Sequence, residues 1–117
     1  MRHGKKGKKF NRIQGRRNSF LRNLANDLIR NGKIETTETR AKAIRPLVER
    51  MVSIAKKGDM HGRRLLVSRL QNQRTVRRMM EEVGPRYAER KGGYLRIVKS
   101  GKSRKRDGAG LAVIEFV

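Results

Sequence analysis

Apolar side chains are almost absent from the first seventeen positions and then fall abruptly into helical step. Between Met1 and Arg17 the bulky apolar residues are Met1, Phe10 and Ile13, and Gly4, Gly7 and Gly15 interrupt the cations. That pattern predicts an extended arm with no structure of its own. From Phe20 onward, Leu21, Leu24, Ala25, Leu28 and Ile29 recur at helical spacing, with Arg22, Asn23, Asn26 and Asp27 on the other face. Asn18 or Ser19 can cap this helix and Gly32 can stop it.

Lys33 to Thr37 alternates as a short strand in which Ile34 and Thr36 share a face. Thr37 then suits the N-cap of a second helix, with Glu38 in its first turn. The stripe of that helix is Ala41, Ile44, Leu47/Val48, Met51/Val52 and Ala55, ending at Lys56-Lys57-Gly58. Pro46 lies inside it and removes one ladder hydrogen bond, which predicts a kink within one helix. Asp59 can cap a third helix carrying Leu65, Leu66, Val67 and Leu70. Asn72 can cap a fourth carrying Val76, Met79, Met80 and Val83, with Gly84-Pro85 as its terminator. Beyond Gly92-Gly93, read as a turn, the period becomes extended: Tyr94 to Lys99 and Leu111 to Val117 are strands around a loop, Ser100 to Gly110.

The predicted fold class is therefore α+β. It has about four helices, a small sheet made of the strand near 33–37 and a C-terminal hairpin, and a basic N-terminal arm. Residues 1–17 form the extension and 18–117 a single domain carrying the basic hairpin loop 100–110.

Charge changes this picture most. The 117 residues carry a formal net charge of +22, with 36% charged and only 35% hydrophobic positions. Residues 1–26 hold +9 without one acid, and residues 85–117 hold +6. The helical middle is modest at +4 over 27–58 and +3 over 59–84. Such a chain attracts polyanions, nucleic acid first and anionic membrane second. The apolar runs Leu65-Leu66-Val67 and Leu111 to Ile114 are far too short to span a bilayer. The basic start lacks the apolar stretch of a secretory signal. Its glycines also break the amphipathic helix that a mitochondrial transit peptide would need.

Candidate chemistry is sparse. No cysteine is present, so disulfides, thiol catalysis and cysteine-ligated metals are excluded. His3 and His61 stand far apart, and Asp59 with His61 lacks the further ligands of a metal set. Glu81 and Glu82 are neighbours on a helix and point apart. No serine has a nucleophile-elbow context, and Gly92-Gly93 neither follows a strand nor opens a helix as a phosphate loop would. The chain reads as a non-enzyme needing no cofactor and no metal. An RNA-modifying activity would require an acid–base set that is missing.

The basic segments can bind phosphates, each neutralised phosphate releasing counterions. In the arm the candidates are Arg2, Lys5, Lys6, Lys8, Lys9, Arg12, Arg16 and Arg17, followed by Arg22. Around the hairpin they are Lys91, Lys99, Lys102, Arg104, Lys105 and Arg106. A solubilising tail is the alternative, but +22 exceeds what solubility needs. Aromatic residues number five (Phe10, Phe20, Tyr87, Tyr94 and Phe116), and several belong to core stripes, too few for a single-strand stacking platform. An alternative is a free DNA-binding or nucleoid protein using helices three and four, with Arg74, Arg77 and Arg78 facing a groove. Backbone and shape recognition of a structured RNA suits the scattered cations better.

Particular residues go further. The opening Met1-Arg2-His3, Lys5, Asn11-Arg12, Ile34-Glu35-Thr36-Thr37, Arg40-Ala41-Lys42 and Ala55-Lys56 resemble the family of ribosomal protein seventeen of the bacterial large subunit. The resemblance is sharpest in Gly84-Pro85-Arg86-Tyr87, Arg90, Gly92-Gly93-Tyr94 and Arg96-Ile97, and it runs on through Ala112 to Val117. Gln14-Gly15 and Leu95 depart from the family's usual small hydroxyl pair and threonine.

The resemblance implies a compact α+β structural protein of the large subunit, whose N-terminal extension enters large-subunit ribosomal RNA. It also implies a place on the solvent side near the exit-tunnel rim, beside other ribosomal proteins, as a single cytoplasmic copy without membrane insertion. Carried over, Arg2, His3, Lys5, Asn11 and Arg12 would contact RNA in the arm, and Arg86, Arg90, Tyr94 and Arg96 around the hairpin.

Overall fold

A computed structural model describes Phe10 and residues 12–117. Its elements are α1 (Gln14–Asn31), β1 (Lys33–Thr37), α2 (Glu38–Lys57), α3 (Met60–Leu70), α4 (Gln73–Arg78), β2 (Leu95–Ser103) and β3 (Gly110–Phe116). The expected α+β class is what the chain adopts.

Local chemistry sets most boundaries. Gly32 takes φ +81° and closes α1 with its N–H on the Leu28 carbonyl, and Gly58 does the same for α2 at φ +65°. The Thr37 hydroxyl accepts from the Arg40 N–H at 3.3 Å, the Asp59 carboxylate from Gly62 at 2.7 Å, and the Asn72 side-chain oxygen from Thr75 at 3.2 Å. Each satisfies a helix N–H that has no partner within its own helix. Asp59 is thus a cap beside an exposed His61. The helix runs through the exposed Pro46 as one element.

Three boundaries differ from expectation. α1 starts at Gln14 rather than near Asn18 or Ser19, with Ile13 at its N-cap and no side-chain cap bond. Gly84-Pro85 does not stop the fourth helix. The chain passes from α4 into a π-helical turn, Met79–Val83, and one more α turn, Gly84–Arg86. Gly84 lies in ordinary right-handed helical space, and a Cβ there would sit 2.8 Å from the Ala55 carbonyl oxygen. The glycine is needed for close approach to α2, not for termination.

The hairpin is also longer than its apolar alternation suggests. Lys99 faces Ala112, yet Ser103 faces Gly110, so β2 bulges by two residues before the turn. Gly101 at φ +75° allows the bulge, and the Ser100 hydroxyl donates to the Leu111 carbonyl at 3.0 Å.

The antiparallel sheet has the order β1-β3-β2. Its register sets Ile34, Ile114 and Ile97 side by side on one face. Together with Leu95, this face packs onto α2, whose Ala41, Ile44, Val48 and Val52 are fully buried. Leu28 and Ile29 of α1, Leu66 and Leu70 of α3, and Val76 and Met79 complete one core. Each such large side chain contributes roughly 1.5–3 kcal/mol by leaving water. Val67, counted in the α3 stripe, is instead 42% exposed, because α3 turns only a narrow stripe inward. No helix among the described residues is long and apolar enough to cross a membrane.

Candidate nucleic-acid interface

The arm is tied to the body at Phe20. The Arg12 guanidinium lies 4.0 Å from the Phe20 ring centroid, and Arg40 approaches the same ring at 4.9 Å. Phe10 meets Phe20 edge-on at 5.5 Å, and Arg12 donates to the Phe10 carbonyl at 3.2 Å. Arg16, Arg17 and Arg22 follow on α1; Arg22 was expected there, whereas Arg16 and Arg17 are helical rather than part of an extended arm. Arg2, His3, Lys5, Lys6, Lys8, Lys9 and Asn11 lie outside the described residues.

A second set of cations surrounds the segment between the last helical turn and β2. Arg86 donates to the Val117 backbone oxygen at 2.9 Å, and the Tyr87 hydroxyl donates to the same oxygen at 2.7 Å. Burial holds the Tyr87 hydroxyl above its ordinary pKa. Arg90 donates to the Gly92 carbonyl at 3.2 Å, and Lys91 is exposed beside it. Lys56 donates to the Arg90 carbonyl and, at 3.0 Å, to the Tyr94 hydroxyl, which itself bonds the Arg90 carbonyl.

Tyr94 therefore requires a correction. It is 3% exposed and packs against Tyr87 at 5.3 Å, so it positions the Arg90 backbone instead of offering a ring to a base.

On the hairpin, several nominated charges already have partners. Arg96 pairs with Glu115 across the strands at 2.7 Å, and Lys99 reaches Glu38 of α2 at 3.6 Å. The Glu38 carboxyl is held below its ordinary pKa, chiefly by its hydrogen bond with Lys42. Arg104 pairs with Asp107 inside the turn. The Ala109 N–H and Arg104 hold the Asp107 carboxyl low in turn. Lys102, Lys105 and Arg106 are exposed, and none of them has an acidic partner among the described residues. A paired arginine at the rim can still reach a phosphate, but only by competing with its carboxylate.

Residues 20–117 match the family model described as ribosomal protein L17. The chain belongs to that family. A "large ribosomal subunit protein bL17" from Agrobacterium fabrum is 48% identical over all 117 residues, which cover 82% of the relative's length. The bL17 protein of Thermus thermophilus is 44% identical over the same span, covering 99% of the relative. This is a family of ribosomal structural proteins, not of enzymes.

Membership in the L17 family accounts for cations spread over several elements better than a helix-turn-helix does. Arg77 pairs with Glu81 at 3.1 Å and Arg78 with Glu82 at 3.4 Å, which neutralises two of the three arginines assigned to a DNA groove. The periodicity reading also passed over Arg50 and Arg69. Both are exposed and come to lie near Arg22. Nothing local in the sequence signals them: Arg50 flanks the α2 stripe beside Met51, and only the packing of three helices brings it near Arg69.

Proposed function

We propose that this protein is a structural constituent of the large ribosomal subunit that binds large-subunit ribosomal RNA and supports subunit assembly and translation. The observation that carries the reading is its 44–48% identity, along all 117 residues, to proteins named as large-subunit components. The arm up to Ile13, the first turn of α1 with Arg16 and Arg17, and the hairpin end carrying Lys102, Lys105 and Arg106 are the primary contacts, joined by Arg86, Arg90, Lys91 and Arg96. Phosphate recognition needs no catalytic group; it needs cations held at fixed separations, which the helical body and bulged hairpin supply. In this reading the protein works in the cytoplasm as one copy per subunit, near the exit-tunnel rim beside other ribosomal proteins.

Competition binding tests this against the DNA-binding alternative. Duplex DNA is expected to displace bound large-subunit RNA only at about hundredfold or greater excess at moderate salt, since specific complexes exceed non-specific ones by at least that margin. Displacement at equal concentration would refute the reading.

A further inference from the structure

α1, α2 and α3 enclose an open groove of about 440 Å³. Its floor is apolar: Ala25 and Met51 are buried, and Leu21 and Leu47 are half-buried beside them. Its rim is cationic, with one arginine from each helix: Arg22, Arg50 and Arg69. Asn18 and Ser68 add hydrogen-bonding groups at the edges. Among the described residues none of the three arginines forms an ion pair, whereas Arg30 of α1, Arg45 of α2 and Arg77 and Arg78 of the last helical segment do.

We infer that this groove seats an unpaired nucleotide of the large-subunit RNA, an inference that rests on the RNA-binding reading above. The size falls within the range of small-molecule sites, roughly 300–1,000 Å³. An apolar floor is wasted on a duplex backbone, which presents only sugar and phosphate, but it suits the face of a splayed-out base. Guanidinium planes stack on bases and also fork to phosphate oxygens, so an arginine rim matches both parts of a nucleotide. An acidic peptide would use the arginines but leave the floor uncovered by anything its charge requires. The arm adds continuity: α1 begins at Gln14, so Asn18 and Arg22 lie one and two turns beyond the arm's root. One strand of RNA following the arm would arrive at the groove.

The test uses the full chain and protein-free bacterial large-subunit RNA. Arg50→Ala with Arg69→Ala removes two exposed cations. Arg45→Ala with Arg77→Ala removes the same charge from paired residues outside the groove. The groove pair is expected to weaken binding by about tenfold or more. Its plot of log affinity against log salt should flatten by about 1.4, as for two phosphate contacts on a single strand. The control pair is expected to change little.

A benzophenone amino acid replacing Ser68 should crosslink to an unpaired nucleotide in assembled subunits. Equal losses for the two pairs would overturn the groove site while leaving the RNA-binding reading intact, and so would a crosslink to protein. Failure of the unaltered chain to prefer large-subunit RNA over DNA would remove that reading and the groove site together. If melting shows the alanine pair unfolded, Arg50→Lys with Arg69→Lys replaces it. That pair keeps the charge, so it should lose affinity with an unchanged salt slope, and unchanged affinity would overturn the site.

Discussion

Truncation of residues 1–12 is expected to reduce affinity for large-subunit RNA on the order of 10²–10³-fold at low salt, with the deficit closing as salt rises. The removed segment carries Arg2, Lys5, Lys6, Lys8, Lys9 and Arg12. At roughly 0.7 per neutralised phosphate on a single strand, the slope of log affinity against log salt should fall by about 4. The position of the cut matters. A boundary at residue 17 would delete the first turn of α1, whereas a cut after residue 12 leaves Gln14–Asn31 whole. It sacrifices the packing of Phe10 and Arg12 on Phe20, a partly exposed aromatic pair and cation–π contact contributing about 1 kcal/mol together. The truncated chain should therefore still melt cooperatively, within a few degrees of the intact one. Anisotropy titrations over a series of salt concentrations check the binding. Parallel lines for the two chains would show that the arm makes no phosphate contacts.

Gly84→Ala is expected to destabilise the fold by about 1–3 kcal/mol, the usual cost of overpacking. For a domain of this size that is a fall in Tm on the order of 10 °C. The new Cβ would lie 2.8 Å from the Ala55 oxygen and 3.1 Å from the Ala55 carbonyl carbon, both backbone atoms in the last turn of α2. No side chain can rotate away, so either the π-helical turn or the end of α2 must shift. Gly15→Ala offers the opposite sign: nothing lies within 4 Å of its Cβ, and alanine within α1 should add about 0.5–1 kcal/mol. Thermal melts by circular dichroism read both. A Gly84→Ala melt coinciding with that of the parent would contradict the packing argument.

These two substitutions mark where sequence reasoning succeeds and where it stops. Thr37, Asp59, Asn72 and Gly32 were legible because a cap is decided within three or four residues of itself. Gly84-Pro85 reads as a stop by the same local logic, yet α2 lies against it, and that contact reverses the meaning of the glycine. The start of α1 escaped for a similar reason. No residue near Ile13 caps the helix; its first turn is supported by Phe10 and Arg12 packing on Phe20. Val67 is apolar in sequence, but α3 turns only the narrow stripe of Gly62, Leu66 and Leu70 inward, and Val67 faces water.

The site divides the same way. The excess of positive charge at the two ends was legible as a sum along the chain. Its pairing was not, since Arg96–Glu115 depends on strand register and Lys99–Glu38 on how β2 meets α2. Tyr94 illustrates the cost of carrying a residue over by motif alone. It is a core ring, and its hydroxyl organises Lys56 and Arg90. Arg50 and Arg69 had no cluster in sequence to announce them, because three different helices bring them together with Arg22.

Sedimentation of ribosomes from the native host through sucrose, after a moderate salt wash, tests the central claim most directly. The protein should appear in the large-subunit peak at one copy per particle and remain there through the wash. Absence from that peak, or recovery mainly with free protein or DNA, would contradict a structural role in the large subunit.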